Sequence, residues 1–299
     1  MLLSGMSSAA GNLLVIVSSV AFGGMALFAR AAYQAGTSPI TLLFLRFGIA
    51  AVCMGVVVVV RRERLPRGRT LLGLLMMGGL GYAGQSFSFF TALTMANAGL
   101  VALLLYLYPA IVAILSAIFL GERLGRWRSL AVVLAFFGTA LTVGPAPQGS
   151  PLGIFLGIAA AFIYSGYIMA GTHLLRSSSP ISGAMVIMAA AATVFGVVNI
   201  LQGPSFPGTA AGWWAAMGVA VVSTVIAVTL FLVGITVIGP TRASVLSTFE
   251  PVTTVILAAL LLSEPLGLAS IIGGACILTA AMILSRAPRA PRVAGAAGQ

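Results

Sequence analysis

The 299 residues are 60% hydrophobic and 6% charged, against about 45–50% and 25% in ordinary soluble domains. The charged set is 15 Arg and 4 Glu, without Lys or Asp, beside a single His. A soluble body of this size needs more charge to cover its surface, so the composition indicates an integral membrane protein. The net charge of +11 does not indicate nucleic-acid binding, because the Arg residues cluster between apolar runs instead of forming a solvated basic face.

Ten apolar runs follow one another along the chain, each close to the length that a membrane-spanning helix needs. They are predicted over 12–33, 39–60, 70–93, 97–120, 126–144, 151–173, 181–201, 211–236, 241–262 and 266–286. Helices satisfy every backbone group in lipid, so the predicted fold is an all-α membrane protein with ten transmembrane helices. The first run is interpreted as a retained helix, and residues 287–299 as a disordered cytoplasmic tail.

The arginines predict the orientation of these helices. With ten spans, 13 of the 15 Arg fall on the side that holds both termini. Arginine marks the cytoplasmic side of a membrane protein, so both termini are predicted to be cytoplasmic.

The two halves of the sequence match at an offset of 142 residues. YPAIVAILSAIFLGERLG (108–125) falls on EPVTTVILAALLLSEPLG (250–267). This register pairs Pro109 with Pro251, Glu122 with Glu264 and Gly125 with Gly267. The predicted units are residues 1–146 and 147–286. Each unit carries five spans, an odd number, so the second must enter the membrane the opposite way round, as in many secondary transporters.

These halves resemble two copies of the EamA domain of the drug/metabolite transporter superfamily. The resemblance is carried by LFLRF…YPAIVAILSAIFLGERLGRW…FFGTALTV and FEPVTTVILAALLLSEPLG…GGACILTAAMIL, and it covers nearly the whole chain. Within the superfamily, the chain is most similar to bacterial exporters of amino acids, aromatic ones included. The resemblance implies a ten-helix carrier of a bacterial inner membrane with a central cavity, moving small molecules out of the cytoplasm.

Glu250 is the deepest acidic residue in the predicted spans. It lies about nine residues into the ninth span, directly before Pro251 and two residues after Thr248. Ionisable groups within a bilayer are costly and are functional candidates. One interpretation is a cavity group that binds a substrate amine or titrates a proton; the other is a structural carboxylate paired with Arg46 or Arg242.

Arg46 lies about seven residues into the second span, too deep for a simple interfacial anchor. Its guanidinium could clamp a substrate carboxylate with two parallel hydrogen bonds. Alternatively, its stem could extend along the apolar surface so that the charge reaches water. Arg242, at the start of the ninth span, is interpreted as an interface residue or a partner of Glu250.

Other charged and ring residues are assigned structural or gating roles. Glu122 and Glu264 each follow a long apolar span, where a carboxylate can accept hydrogen bonds from the free N–H groups of a helix start. His173 is interpreted as an interfacial or gate-lining residue. Pro109 and Pro251 open the helices that contain them. With one His and no Asp, neither a metal site nor a cofactor is expected.

Aromatic and polar side chains within the spans predict the wall of a cavity. Ligand sites are mostly apolar with a few placed polar groups. The same residues could instead hydrogen-bond neighbouring helices as packing contacts. The predicted wall consists of Phe22, Tyr82, Gln85, Phe89, Tyr106, Tyr108, Tyr164 and Tyr167, together with Arg46, Thr248 and Glu250.

These residues favour a carrier of small metabolites. For an amino acid, Arg46 and Glu250 would meet its two charged ends, and the rings would hold an apolar side chain. A passive channel is the main alternative, although a pore predicts repeated polar rings. An intramembrane enzyme lacks paired Asp or clustered His. Proton coupling and oligomeric state stay open; the predicted partners are the substrate and the bilayer.

Overall fold

In a computed structural model, the chain is described over residues 7–120, 125–143, 149–174, 179–238, 243 and 246–286. Every regular element in these ranges is helical, and one isolated antiparallel bridge joins Ala96 to Gly149. The helices are α1 (Ser8–Gly23), α2 (Met25–Gln34), α3 (Pro39–Val60), α4 (Gly68–Met76), α5 (Ala83–Ala92), α6 (Ala98–Leu105), α7 (Tyr108–Leu120), α8 (Arg126–Val143), α9 (Pro151–Leu174), α10 (Pro180–Gln202), α11 (Ala210–Met217), α12 (Ala227–Ile238), α13 (Phe249–Leu261) and α14 (Leu268–Arg286).

Eight helical stretches in the described ranges are long and apolar enough to cross a membrane. They are Ser8–Gln34, Pro39–Val60, Ala98–Phe119, Arg126–Val143, Pro151–Ala170, Ile181–Gln202, Ala210–Phe231 and Leu268–Arg286. The other two predicted spans correspond to the glycine-rich, polar stretch from α4 to α5 and to the 13-residue helix α13. The chain is therefore an all-helical, multi-pass membrane protein, and the count of ten remains a prediction.

The third helix of each half contains a wide π-helical stretch. The first π segment is Met77–Tyr82, between α4 and α5, and the second is Gly218–Ile226, between α11 and α12. Displacing the first by 142 residues places it inside the second. Wide turns of this kind often mark functional sites, because they redirect side chains relative to a regular helix.

The fourth helix of each half is broken. Tyr106 and Leu107 form a turn between α6 and α7, and residues 247–248 form a turn before α13. Each break is followed within a few residues by a proline, Pro109 or Pro251, which cannot donate the hydrogen bond of a regular helix. Both breaks therefore expose backbone groups in the interior of the bundle.

Helix contacts repeat between the halves with the roles exchanged. Helix α1 packs against α12 and α13, and its counterpart α9 packs against α5 and α6. The pairs α3 with α10 and α8 with α14 join equivalent helices. Small residues permit the closest approach: a Cβ at Gly138 of α8 would lie 2.6 Å from the carbonyl oxygen of Gly273 on α14.

Candidate functional site

A cavity of about 350 Å³ lies between the two halves of the bundle. Ten of the eleven residues predicted for the cavity wall line it: Phe22, Arg46, Tyr82, Gln85, Phe89, Tyr106, Tyr108, Tyr164, Tyr167 and Glu250. We call this space the central cavity. The structure thus brings together residues from six of the predicted spans, and their roles in binding stay predictions.

Arg46 presents a buried cation to the central cavity. The residue is 4% exposed, and its Nε donates to Thr224 Oγ1 at 2.9 Å while Nη2 donates to the Tyr82 hydroxyl at 3.2 Å. The guanidinium also lies 4.8 Å from the ring centroid of Phe47 and 5.2 Å from that of Phe90. These contacts fix the guanidinium without neutralising it, so the interpretation of a snorkelling side chain is wrong.

Glu250 lies in the first turn of α13, where the positive end of the helix dipole stabilises a carboxylate. Its Oε2 accepts a hydrogen bond from the Tyr106 hydroxyl at 3.1 Å. The same hydroxyl lies 2.7 Å from the carbonyl oxygen of Ser247. The carboxyl group is therefore held at the break in the fourth helix of the second half.

One ion pair joins side chains in the described ranges, and it does not involve Glu250. Arg30 Nη2 lies 3.5 Å from Glu264 Oε1, and Arg30 also donates to the carbonyl of Ala96. An ion pair between Glu250 and Arg46, one of the structural interpretations, is therefore absent within these ranges. Arg242, the other suggested partner, lies outside them.

Glu264 caps a helix, but in the other half of the chain. Its Oε1 accepts from the N–H of Ala98 at 2.7 Å, and its Oε2 from that of Gly99 at 3.1 Å, at the start of α6. The predicted chemistry is present, while the capped helix is distant in sequence instead of being the next one. Glu122, its counterpart, lies outside the described residues.

Five tyrosines form a continuous chain of ring contacts between the two charged groups. The chain runs from Tyr106 to Tyr108 (5.7 Å between centroids), Tyr164 (5.0 Å), Tyr167 (5.9 Å) and Tyr82 (5.4 Å). Tyr106 hydrogen-bonds Glu250 at one end, and Tyr82 hydrogen-bonds Arg46 at the other. An apolar or aromatic body can lie against these rings while its polar ends meet charge.

A second cavity of about 320 Å³ shares two residues with the first, Tyr106 and Tyr108. Thr248, predicted for the central wall, lines this second cavity instead, as does Pro109. Its other polar residues include Ser116 and Arg128. We call Tyr106 and Tyr108 the tyrosine wall, because they stand between the two spaces.

Two further predicted residues are buried within their helices, and one of them, Gln85, also lines the central cavity. Gln85 is 7% exposed and accepts from the Ser86 hydroxyl at 3.2 Å. Pro251 is buried in the first turn of α13. His173 belongs to α9, but its side chain falls outside the described part. No group of three or more His, Cys, Asp or Glu that could hold a metal occurs among the described residues.

Sequence reasoning missed several residues at this site. Thr224 holds Arg46, and Ser247 contacts Tyr106 through its backbone, yet each resembles any other hydroxyl residue in an apolar run. Two signals could have found them: Thr224 stands 142 residues after Tyr82, and Ser247 precedes Pro251 by four residues. Arg30 is one of the two Arg that the predicted orientation does not place on the side of the termini, and it forms the ion pair with Glu264.

Comparison with known proteins agrees with this architecture. The EamA-like transporter family matches residues 9–144 and 151–286, two segments displaced by 142 residues at both ends. An "uncharacterized transporter YcbK" of Bacillus subtilis is 28% identical over 286 residues, covering 89% of each chain. An "uncharacterized transporter" of Archaeoglobus fulgidus is 29% identical over 281 residues, covering 92% of this chain and 96% of its own. A solved crystal structure shares the fold, with a TM-score of 0.66, 21% identity and coverage of 93% of this chain and 96% of that one.

Proposed function

The chain belongs to the EamA-like transporter family, and from that premise we propose that it is a secondary carrier that exports small metabolites by alternating access. Amino acids with neutral or aromatic side chains are the proposed substrates. The proposed location is a bacterial inner membrane, with both termini in the cytoplasm. This assignment treats the chain as a carrier instead of an enzyme, consistent with its membership in a transporter family.

The observation that carries the substrate proposal is the state of Arg46. Its guanidinium is 4% exposed and donates to the neutral side chains of Thr224 and Tyr82, and no ion pair among the described residues involves it. Burying an uncompensated cation is costly, and an anionic substrate group would offset that cost. A carboxylate is the group whose geometry matches the planar fork of Arg.

Glu250 supports a substrate with a second, positive end. It is the one carboxylate among the described residues that line the central cavity, and it stands at the other end of the tyrosine chain from Arg46. A zwitterion with an apolar body would place its ammonium at Glu250 and its body against the rings. Sugar phosphates and nucleotides fit less well, because this cavity offers a single Arg and no Lys.

Two alternative functions can be distinguished from this one by experiment. The first is transport of another small metabolite or a drug-like compound by the same fold, which a solute panel distinguishes. The second is a passive channel, and the tyrosine wall between the two cavities argues for a carrier. A channel would conduct without saturation and without counterflow.

The test is counterflow in proteoliposomes with three labelled solutes that share one ring. L-phenylalanine carries both charges, phenylpropionate only the carboxylate, and phenethylamine only the ammonium. We expect counterflow of L-phenylalanine that saturates, with much weaker transport of the other two, because each leaves one buried charge unpaired. Equal rates for the three solutes, or rates that do not saturate, would contradict the proposal.

Variants assign the two ends. Arg46→Gln should lower the transport rate of L-phenylalanine by about tenfold or more and leave the rate of phenethylamine unchanged. Glu250→Gln should also lower the rate of L-phenylalanine, but it should leave the rate of phenylpropionate unchanged. The matched control is Arg69→Gln, which removes an exposed charge from the first turn of α4. Discrimination between solutes that is unchanged in both cavity variants would show that the two ends are assigned incorrectly.

A further inference from the structure

The Tyr106 hydroxyl lies between two acceptors. Its oxygen is 2.7 Å from the carbonyl oxygen of Ser247 and 3.1 Å from Glu250 Oε2. A phenol carries one proton and can donate a full hydrogen bond to only one acceptor at a time. The Tyr106 hydroxyl can therefore donate either to the Ser247 carbonyl or to the Glu250 carboxylate. Both contacts are hydrogen bonds at once only if the carboxyl group is protonated and donates to the Tyr106 oxygen.

The Ser247 carbonyl depends on this choice. In a regular helix it would accept from the N–H four residues later, but that residue is Pro251, which has none. Its described donors are the Glu250 N–H at 3.0 Å and the Tyr106 hydroxyl. Through this hydrogen bond, Tyr106 connects the tyrosine wall, to which it belongs, with the helix break in the second repeat.

Two arrangements follow from the protonation state of Glu250. An ionised carboxylate can only accept, and a charged acceptor attracts the Tyr106 proton more strongly than a neutral carbonyl does. A neutral carboxyl group can donate its own proton to the Tyr106 oxygen. The Tyr106 proton then goes to Ser247, and the three groups form one directed chain from acid to backbone.

We propose that Tyr106 is a positioning residue that relays the protonation of Glu250 to the helix break at Ser247 and so to the tyrosine wall between the two cavities. When Glu250 is neutral, Tyr106 is bonded to the backbone of the second repeat and holds the wall in place. When Glu250 is ionised, Tyr106 turns toward the carboxylate and its hold on the break weakens. The coupling ion of the carrier is then a proton.

The surroundings of Glu250 allow it to dominate this switch. The charged or titratable groups that act on it are Arg46 of α3, Tyr106 and Tyr108 of the wall, and Tyr164 of α9. Of the helices packed on α13, α1 and α6 carry no titratable side chain, and α2 carries Arg30, which pairs with Glu264, and Tyr33, which donates to the Phe90 carbonyl. Among the described residues, Glu250 is therefore the carboxyl group whose protonation can change at this position.

The first test needs no transported solute. Infrared difference spectra of the purified protein, recorded between alkaline and acid pH, report both the neutral carboxyl group and the backbone carbonyls. In protein with isotope-labelled serine, we expect the wild type to show a carboxyl band that is absent in Glu250→Gln, and a serine carbonyl change with the same pH midpoint. Tyr106→Phe should keep the carboxyl band, at the frequency of a group with one fewer hydrogen bond, and lose the serine change.

Tyr33→Phe is the matched control, because Tyr33 also donates to a backbone carbonyl, that of Phe90 at 3.0 Å, but does not line the central cavity. It should reproduce both wild-type signals. The inference is overturned if the serine change persists in Tyr106→Phe, or if the wild type shows none. Should Tyr106→Phe not fold, Glu250→Gln still decides, because it must abolish the pH dependence of the serine signal.

The second test uses L-phenylalanine and rests on the proposed function. One unit of pH gradient should support about tenfold accumulation by a carrier that couples one proton to one substrate. The ratio of accumulation with and without the gradient should fall to about one in Tyr106→Phe and remain near tenfold in Tyr33→Phe. A wild type without counterflow refutes the proposed function. A Tyr106→Phe protein that keeps the wild-type ratio refutes the relay alone.

Discussion

Tyr82 and Thr224 stand 142 positions apart, the offset between the two repeats, and both accept a hydrogen bond from the guanidinium of Arg46. Each belongs to the π segment of its own repeat. Arg46 has no charged counterpart, since position 188 is Met, which lines the same cavity. A single cation is therefore held by equivalent positions of two related units, which places it where the repeats meet.

Loss of the Thr224 hydroxyl should loosen Arg46. Thr224→Val removes the acceptor of the 2.9 Å hydrogen bond from Nε and leaves a buried charged donor unsatisfied. We expect the free energy of unfolding to fall by about 2 kcal/mol, with a higher KM for carboxylate-bearing substrates. Thermal unfolding in detergent and counterflow measure these effects. Thr229→Val is the control, because that exposed hydroxyl donates to the Val225 carbonyl one turn earlier in the chain. Equal effects of both variants would contradict the prediction.

The contact of α1 with α13 should not tolerate a methyl group at Gly23. A Cβ there would lie 2.7 Å from the Glu250 carbonyl oxygen and 2.7 Å from Thr253 Cβ. Gly23→Ala should lower the free energy of unfolding by about 1–3 kcal/mol, because both helices must shift. At the adjacent Gly24, the nearest atom would be 3.6 Å away, so Gly24→Ala should unfold near the wild-type temperature. The reverse order of the two unfolding temperatures would show that this contact is wrong.

Glu264 should stabilise the bundle through two separable interactions. Glu264→Ala removes the cap of α6 and the partner of Arg30, and should lower the free energy of unfolding by about 2–4 kcal/mol. Glu264→Gln keeps one carbonyl acceptor for the cap but loses the charge, and it should have an intermediate effect. Comparing the unfolding temperatures of the two variants separates capping from charge. If neither variant differs from wild type, the contact is not structural.

The predicted orientation is open to a direct test with single cysteines. In a background where Cys53 and Cys276 are Ala, Arg64→Cys and Thr209→Cys lie in exposed loops of the described chain. A membrane-impermeant thiol reagent should label residue 64 only from the cytoplasmic side and residue 209 only from outside. Labelling of both from one side would remove the predicted topology.

The all-helical class could be predicted from the length of the apolar runs. The repeat could be predicted because the same Pro, Glu and Gly residues recur at one offset in the sequence. The meeting of Arg46 and Glu250 at one cavity could also be predicted, because ionisable groups within a bilayer are costly and are functional candidates. The wide turns at Met77–Tyr82 and Gly218–Ile226 were not, because helical winding depends on packing between distant segments. For the same reason, nothing near Glu264 in sequence indicates Ala98 as its partner.

The π segments give the two repeats a shared mechanical property. A wide turn stores one residue more than a regular turn, and moving it along its helix by one position rotates the intervening side chain by about 100°. Tyr82 is the last residue of the first π segment, and Thr224 lies near the end of the second. A small rewinding in either helix would therefore withdraw one of the two acceptors from the guanidinium of Arg46 and leave that side chain free to turn.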